Sequence, residues 1–237
     1  MARRRILVTG ATDGIGLELV RRLAPRHDVI ATGRRDAAAA RHILPESVVY
    51  VRADQSEPLA AARSVGLGLL ENGMRKLDYA VLNAAVGWAA APQEETAAAI
   101  RQTVDVNLAG TVAMAHMMFP FLRPADGQLT LVGSVARHGS PRVASYAASK
   151  AGLHGLARAL AEEWRGIVRV QLLDPGPTRT GMHDKAGLDT GWGRRFFIPP
   201  AAMAAMLEAA ISSGKTPRTL SFLQYLYGAS ALGRTIR

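Results

Sequence analysis

Tyr146 and Lys150 stand four residues apart in Val143-Ala144-Ser145-Tyr146-Ala147-Ala148-Ser149-Lys150, which reads as the opening of a helix. That spacing is close to one helical turn, so both side chains leave the same face and can serve one site. A free tyrosine ionises near about 10 and is a poor proton shuttle at neutral pH, but a nearby ammonium favours the phenolate. Alone, such a pair would also suit an ordinary half-buried helix. Ser134, twelve residues earlier, and Asn107, within a long Ala-rich helical stretch, add two further polar side chains that could join it. The six histidines show no metal-ligand spacing, and no metal is expected.

A second constellation lies near the start of the chain. The apolar run Ile6 to Val8 leads into Thr9-Gly10-Ala11-Thr12-Asp13-Gly14-Ile15-Gly16 and then into an amphipathic helix carrying Leu17, Leu19, Val20 and Leu23. Gly10 suits the tight turn, Gly14 lets backbone approach a phosphate, and Gly16 lets the helix pack closely. The helix N-terminus offers free N–H groups and its positive dipole end to an anion. A glycine-rich turn is weak evidence by itself; its position directly after the first strand strengthens it.

These residues need a frame. Apolar, β-branched runs at Ile6 to Val8, Val29 to Ala31, Val48 to Val51, Tyr79 to Leu82, Leu129 to Val132 and Val168 to Leu173 predict buried strands. Helical stretches at Gly14 to Ala24, Pro58 to Asn72, Glu94 to Leu122, Val143 to Arg165 and Pro200 to Ser213 alternate with them. Alternation of this kind predicts right-handed βαβ units, hence a doubly wound α/β domain with a parallel sheet and helices on both faces. The 237 residues suit one such domain without a second.

Composition narrows the function classes. With 49% hydrophobic and 20% charged residues the chain can bury a core, which excludes general disorder. The absence of cysteine excludes disulfides, thiolate metal sites and cysteine nucleophiles. The basic N-terminal residues are followed only by Ile6, Leu7 and Val8 before Thr9-Gly10, so neither a signal peptide nor a membrane span is expected, and the default location is cytoplasmic. The net charge of +10 comes mostly from arginines scattered along the chain, not from a basic stripe with interleaved aromatics, so no nucleic-acid partner is expected.

The motif Thr9-Gly10-x3-Gly14-Ile15-Gly16, together with Asn107, Ser134, Tyr146 and Lys150 in order and approximate spacing, resembles the classical short-chain dehydrogenase/reductase family. The likeness covers residues 5 to about 180. It implies a Rossmann-type fold and an oxidoreductase that passes a hydride between a nicotinamide cofactor and a carbonyl/alcohol pair. Ser134 would then bind the substrate oxygen, and Tyr146 would donate the proton on reduction. Lys150 would lower the tyrosine pKa and hold the nicotinamide ribose, and Asn107 would position a water feeding Lys150. Gly10, Thr12, Asp13, Gly14, Ile15 and Gly16 would cradle the cofactor. The resemblance extends to Asp54 beside the adenine, to Asn83-Ala84-Ala85, where the family has Asn-Ala-Gly, and to Pro175, Gly176, Thr178 and Thr180 of the Pro-Gly motif. At the end of the second strand NAD would call for a carboxylate. Gly33-Arg34-Arg35 instead offers room and guanidinium groups for a 2′-phosphate, which favours NADP (NADPH).

Substrate specificity is expected from Trp88, Val135, His138, Met182, His183 and Trp192, with Leu188 and Phe196 nearby, and the substrate is expected to be small to medium and fairly apolar. A lid is expected at about 177–199. The tail at about 219–237 departs from the family's usual ending and predicts either a strand at 219–223 or a helix against the site or a neighbouring subunit. A homo-oligomer, dimer or tetramer, is implied only by the family. Two other readings fit the same fold: a non-redox dehydratase or cyclase, and a nucleotide-sensing regulatory protein.

Overall fold

In the computed structural model, which describes residues 2–180, 197–216 and 218–228, seven strands form one parallel sheet. They are β1 (Arg5–Val8), β2 (Asp28–Gly33), β3 (Val49–Arg52), β4 (Tyr79–Leu82), β5 (Gln128–Val132), β6 (Arg169–Pro175) and β7 (Arg218–Leu220), in the order β3-β2-β1-β4-β5-β6-β7. The order reverses between β1 and β4, and ligands of such sheets bind in the crevice beyond the strand ends at that point. A strand covered on both faces has no polar face to show, which is why every residue of β4 and β5 is buried.

The helices are α1 (Gly14–Leu23), α2 (Ala37–Arg41), α3 (Pro58–Glu71), α4 (Ala97–Val104), α5 (Gly110–Leu122), α6 (Ala144–Glu163), α7 (Pro200–Ser213) and α8 (Phe222–Gly228). Side chains alternate across a strand, so Ile6 and Val8 point to one face and Leu7 to the other. The first face is packed by Leu19, Val20 and Leu23 of α1 and by Met203, Leu207 and Ile211 of α7. The second is packed by Val65 and Leu69 of α3, Met114, Met118 and Leu122 of α5, and Leu153 and Leu160 of α6. Each such side chain contributes about 1.5–3 kcal/mol by leaving water, so both helical layers are firmly held to the sheet.

Local chemistry sets the helix starts. Asp13, Asp36 and Thr96 cap α1, α2 and α4 through their side-chain oxygens, and a proline occupies the first turn of α3 and of α7. The long helix expected over Glu94 to Leu122 is α4 and α5 joined by a π-helical turn, Asp105–Ala109, which contains Asn107. The expected strand at 219–223 is shorter: β7 ends at Leu220, and a helix takes over at Phe222. Helix α2, five residues long, was not anticipated from the sequence.

Candidate active site

The C-terminal ends of β1 to β6 open onto one cleft of about 1090 Å³. At one end lies the glycine-rich turn. Gly10 and Gly14 adopt φ of +64° and +51°, a region that strains any other L-residue. A methyl group on Gly10 would come within 2.7 Å of the Ala84 Cα, and one on Gly14 within 3.2 Å of the Thr180 Cγ2. Gly16 does not line the cleft. A methyl group there would lie 2.3 Å from the Gly10 carbonyl oxygen and 2.6 Å from Asn83 Nδ2, so its smallness lets α1 start directly under the turn.

The opposite wall is fastened to the turn by hydrogen bonds. The Thr9 hydroxyl accepts from the N–H groups of Asn83 (3.0 Å) and Ala84 (3.1 Å), and Asn83 Nδ2 donates to the Thr9 carbonyl at 3.1 Å. Thr12, Asp13, Gly14 and Ile15 line the cleft on the turn side, and Asn83, Ala84 and Ala85 on the other. The Asp13 carboxylate accepts from the Gly14 N–H at 2.7 Å, which fixes the entry into α1. Backbone that is free of side chains at a helix N-terminus, held open on both sides, fits the phosphates of a dinucleotide.

Beyond β2, Arg34 and Arg35 are exposed and line the same cleft, as does Asp54 after β3. Gly33 leaves room for Thr12, whose Oγ1 would be 3.0 Å from a methyl group there. The Tyr50 hydroxyl donates to the Gly33 carbonyl at 2.8 Å, pinning the strand end from which the two arginines project. Asp54 spends one carboxylate oxygen on its own turn, accepting from the Ser56 N–H (3.0 Å) and hydroxyl (2.9 Å).

Ser134, Tyr146 and Lys150 meet at the other end. Ser134 follows β5 in extended backbone and its Oγ accepts from the Ala136 N–H at 3.1 Å, capping the short helical turn Val135–His138. Burial pushes the Tyr146 phenol above its ordinary value, and a hydrogen bond with Ser134 pulls it back part of the way. Lys150, 2% exposed, donates to the Val132 carbonyl at 2.9 Å and lies 5.7 Å from the Tyr146 ring centroid. Burial lowers its pKa to about 8, and the charge of Asp174 opposes that fall. The tyrosine pKa was expected to be lowered by Lys150; here the hydrogen bond that lowers it comes from Ser134.

Asn107 lies behind the cleft, fully buried. Its Oδ1 accepts from the Val86 N–H and its Nδ2 donates to the Val86 carbonyl, both at 2.8 Å, and Nδ2 also donates to Ser149 Oγ at 3.1 Å. The side chain therefore clamps the segment after β4 to α6 between Tyr146 and Lys150. Both Nδ2 hydrogens are thereby used and Oδ1 accepts one bond.

Pro175, Gly176, Thr178 and Thr180 line the cleft below β6. Thr178 and Ile198 form a parallel bridge, and the Arg179 N–H donates to the Ile198 carbonyl at 2.9 Å, so the two described ends of the expected lid are stitched together. Trp88 and Val135 line the cleft, with Trp88 38% exposed. His138 does not line it; with Arg137, Ser140 and Ala144 it borders a smaller neighbouring recess, because the turn after Ser134 carries it outward. Met182, His183, Leu188, Trp192 and Phe196 lie outside the described residues. Two residues that carry no signal in the sequence also shape the site: Gly87, whose lack of a side chain makes room for the Tyr146 ring 3.1 Å from where a methyl group would be, and Asp174, buried beneath Ser134. Among the described residues no group of three or more His, Asp or Glu could hold a metal ion, and no helix is long and apolar enough to cross a membrane.

The family model described as short chain dehydrogenase matches residues 4–190. The chain belongs to the short-chain dehydrogenase/reductase family. As a short-chain dehydrogenase/reductase it is similar to 11-beta-hydroxysteroid dehydrogenase A of Sesamum indicum, 30% identical over 74% of this chain and 53% of that protein. It is also similar to the 3-oxoacyl-acyl-carrier-protein reductase MabA of Mycobacterium tuberculosis (strain ATCC 25618 / H37Rv), 29% identical over 87% of this chain and 82% of that one. Some curated relatives are longer: the match spans 53% of the sesame protein and 33% of one from Sinorhizobium fredii. Among solved structures, a short chain dehydrogenase from Burkholderia cenocepacia J2315 in complex with NADP is 26% identical, with a TM-score of 0.78 over 92% of this chain and 95% of that one. Fold and family thus place the chain among the short-chain dehydrogenases/reductases, with a Rossmann-type sheet.

Proposed function

We propose that this short-chain dehydrogenase/reductase is an NADP-dependent ketoreductase of a small to medium, fairly apolar carbonyl compound. The observation that carries the reading is the shape of the single cleft: an anion-fitting glycine turn with two exposed arginines at one end, and Ser134, Tyr146 and Lys150 together at the other. Arg34 and Arg35 bear on the choice of nucleotide, since a guanidinium pairs with a 2′-phosphate through charge-assisted bonds while no carboxylate ends β2. The NADP in the Burkholderia cenocepacia structure agrees with that preference.

When bound, the nicotinamide supplies the hydride. Ser134 hydrogen-bonds the carbonyl oxygen of the substrate, and Tyr146 donates its proton to that oxygen as the alkoxide develops. The protonated phenol is the form that donates in the reductive direction, and burial favours that form. Lys150 holds the nicotinamide ribose and keeps positive charge beside the phenol. Asn107 acts by fixing α6 against Val86. Asp54 lies on the adenine side, and Thr178 and Thr180 on the nicotinamide side. Homo-oligomerisation belongs to this reading through the family alone, and a cytoplasmic location only as the default drawn from the sequence.

NADPH should bind about tenfold or more tightly than NADH, a charge-assisted bond contributing on the order of 1.5–3 kcal/mol, and Arg34→Ala should narrow that gap. Titration of both nucleotides, followed by a carbonyl panel monitored through reduced-nicotinamide absorbance, tests the reading. Equal affinities would overturn the nucleotide preference, and no turnover of any carbonyl would overturn the ketoreductase.

A further inference from the structure

Asp174, the residue before Pro175-Gly176, is 1% exposed at the end of β6. A carboxylate taken this far from water must have its oxygens occupied by donors. The Ser134 N–H donates to Oδ1 at 3.1 Å, Arg137 Nε donates to Oδ2 at 2.9 Å, and His154 Nε2 lies 3.1 Å from Oδ2. Two of these groups come from the turn after β5 and one from α6, so the carboxylate joins the two elements that carry Ser134 and Tyr146. It also fills the side-chain space of Gly133: a methyl group there would be 2.2 Å from Asp174 Oδ1.

We propose, resting on the ketoreductase reading, that Asp174 is a positioning residue: its buried carboxylate fixes the main chain at Ser134 and supplies the negative charge that keeps the Lys150 ammonium protonated. Lys150 and His154 are four residues apart on α6, so the face that meets Asp174 through His154 also carries Lys150, whose ammonium bonds Val132 beside the strand that ends in Asp174. Lys150 faces Tyr146 on its own helix, the Val132 carbonyl on β5 and Asp174 on β6; the first two carry no negative charge at neutral pH. Asp174 faces the Ser134 amide and Arg137 from the turn after β5, and His154 and Lys150 from α6. Asparagine would have nearly the same shape and could still accept from the Ser134 N–H. What only aspartate adds is charge: Arg137 pairs with it directly, and the same charge bears on Lys150. Consistent with this, burial and Asp174 act in opposite directions on that lysine.

The chain has four lysines, Lys76, Lys150, Lys185 and Lys215, so [13Cε]lysine NMR resolves each, and Lys150 is assigned by its loss in Lys150→Met. In the full chain without substrate, Asp174→Asn should lower the Lys150 titration midpoint by about one pH unit. Arg137→Met, which removes a cation that partly cancels Asp174, should raise it. Opposite movements are the signature of charge, since loosening of the fold alone would move both variants the same way. An unchanged midpoint in folded Asp174→Asn overturns the proposal; should that variant not fold, an unchanged or lowered midpoint in Arg137→Met overturns it. In turnover, Asp174→Asn should cut kcat about fivefold at pH 8 and less than about twofold at pH 7, shifting the alkaline limb downward with the lysine, while NADPH affinity at pH 6 stays within about twofold. A wild type that reduces no carbonyl but shows both NMR shifts would remove the ketoreductase reading and leave the charge role of Asp174 standing.

Discussion

At the scale of the residue, the site pairs two groups whose surroundings work against their charged forms: burial raises Tyr146 and lowers Lys150. Removing only the hydroxyl separates chemistry from packing. Tyr146→Phe should bind NADPH as the wild type does and lose about 10² to 10⁴ in turnover; wild-type turnover would exclude the phenol as the acid. The lysine makes a different prediction, about stability. Its folded pKa of about 8 lies below the unfolded value of 10.5, so between those two pH values the unfolded chain binds more protons and stability rises with pH. Below that window the buried ammonium costs on the order of 3 kcal/mol, offset in part by the Val132 bond. Lys150→Met should therefore be inactive yet more stable at pH 7, melting a few degrees higher, and the advantage should shrink by pH 10. Thermal melts at the two pH values decide it, and a variant less stable at pH 7 would show that the lysine is held at no net cost.

At the scale of the element, the glycine turn, the segment after β4 and α1 form one fastened unit, and Gly16 is its tightest point. Gly16→Ala would place a methyl group 2.3 Å from a backbone oxygen that cannot swing away. A loss of about 1–3 kcal/mol in stability is expected from such overpacking, with NADPH affinity down about tenfold or more, read by a melt and a nucleotide titration; unchanged affinity would show that the turn can shift without harm. This unit was legible because its signal is local: a strand, three glycines and a helix within twenty residues. Tyr146 and Lys150 were legible for the same reason, and strands such as Tyr79–Leu82 because burial on both faces forces an apolar run. The π-helical turn was not, since Asp105–Ala109 sits in an unbroken helical composition and only the position of the Asn107 clamp reveals it. Helix α2 is too short to show a period. Asp174 escaped because its partners lie 20 to 40 residues away, and an aspartate before Pro-Gly reads as an ordinary turn residue.

At the scale of the whole molecule, a buried charge ties α1 to α7 within one helical layer of the sheet. Glu208 of α7 is 1% exposed and accepts from Arg22 Nε of α1 at 2.9 Å and from Arg26 Nη2 of the turn after α1 at 2.7 Å. The arginines keep more than a third of their side-chain surface in water, so the partners are unequal. Taking away the carboxylate leaves two guanidinium groups that solvent can satisfy, and a leucine at 208 would join the neighbouring Met203, Leu207 and Ile211. Taking away both arginines instead strands a carboxylate in the interior, a loss of about 3–5 kcal/mol when a buried pair is broken this way. Glu208→Leu should accordingly stay within about 1 kcal/mol of wild type, while the double variant Arg22→Met, Arg26→Met should lose about 3 kcal/mol or more. Urea unfolding of both at pH 7 measures the asymmetry. Equal losses would mean that the arginines contribute through packing of their stems against α7, and that the charge itself does not hold the two helices together.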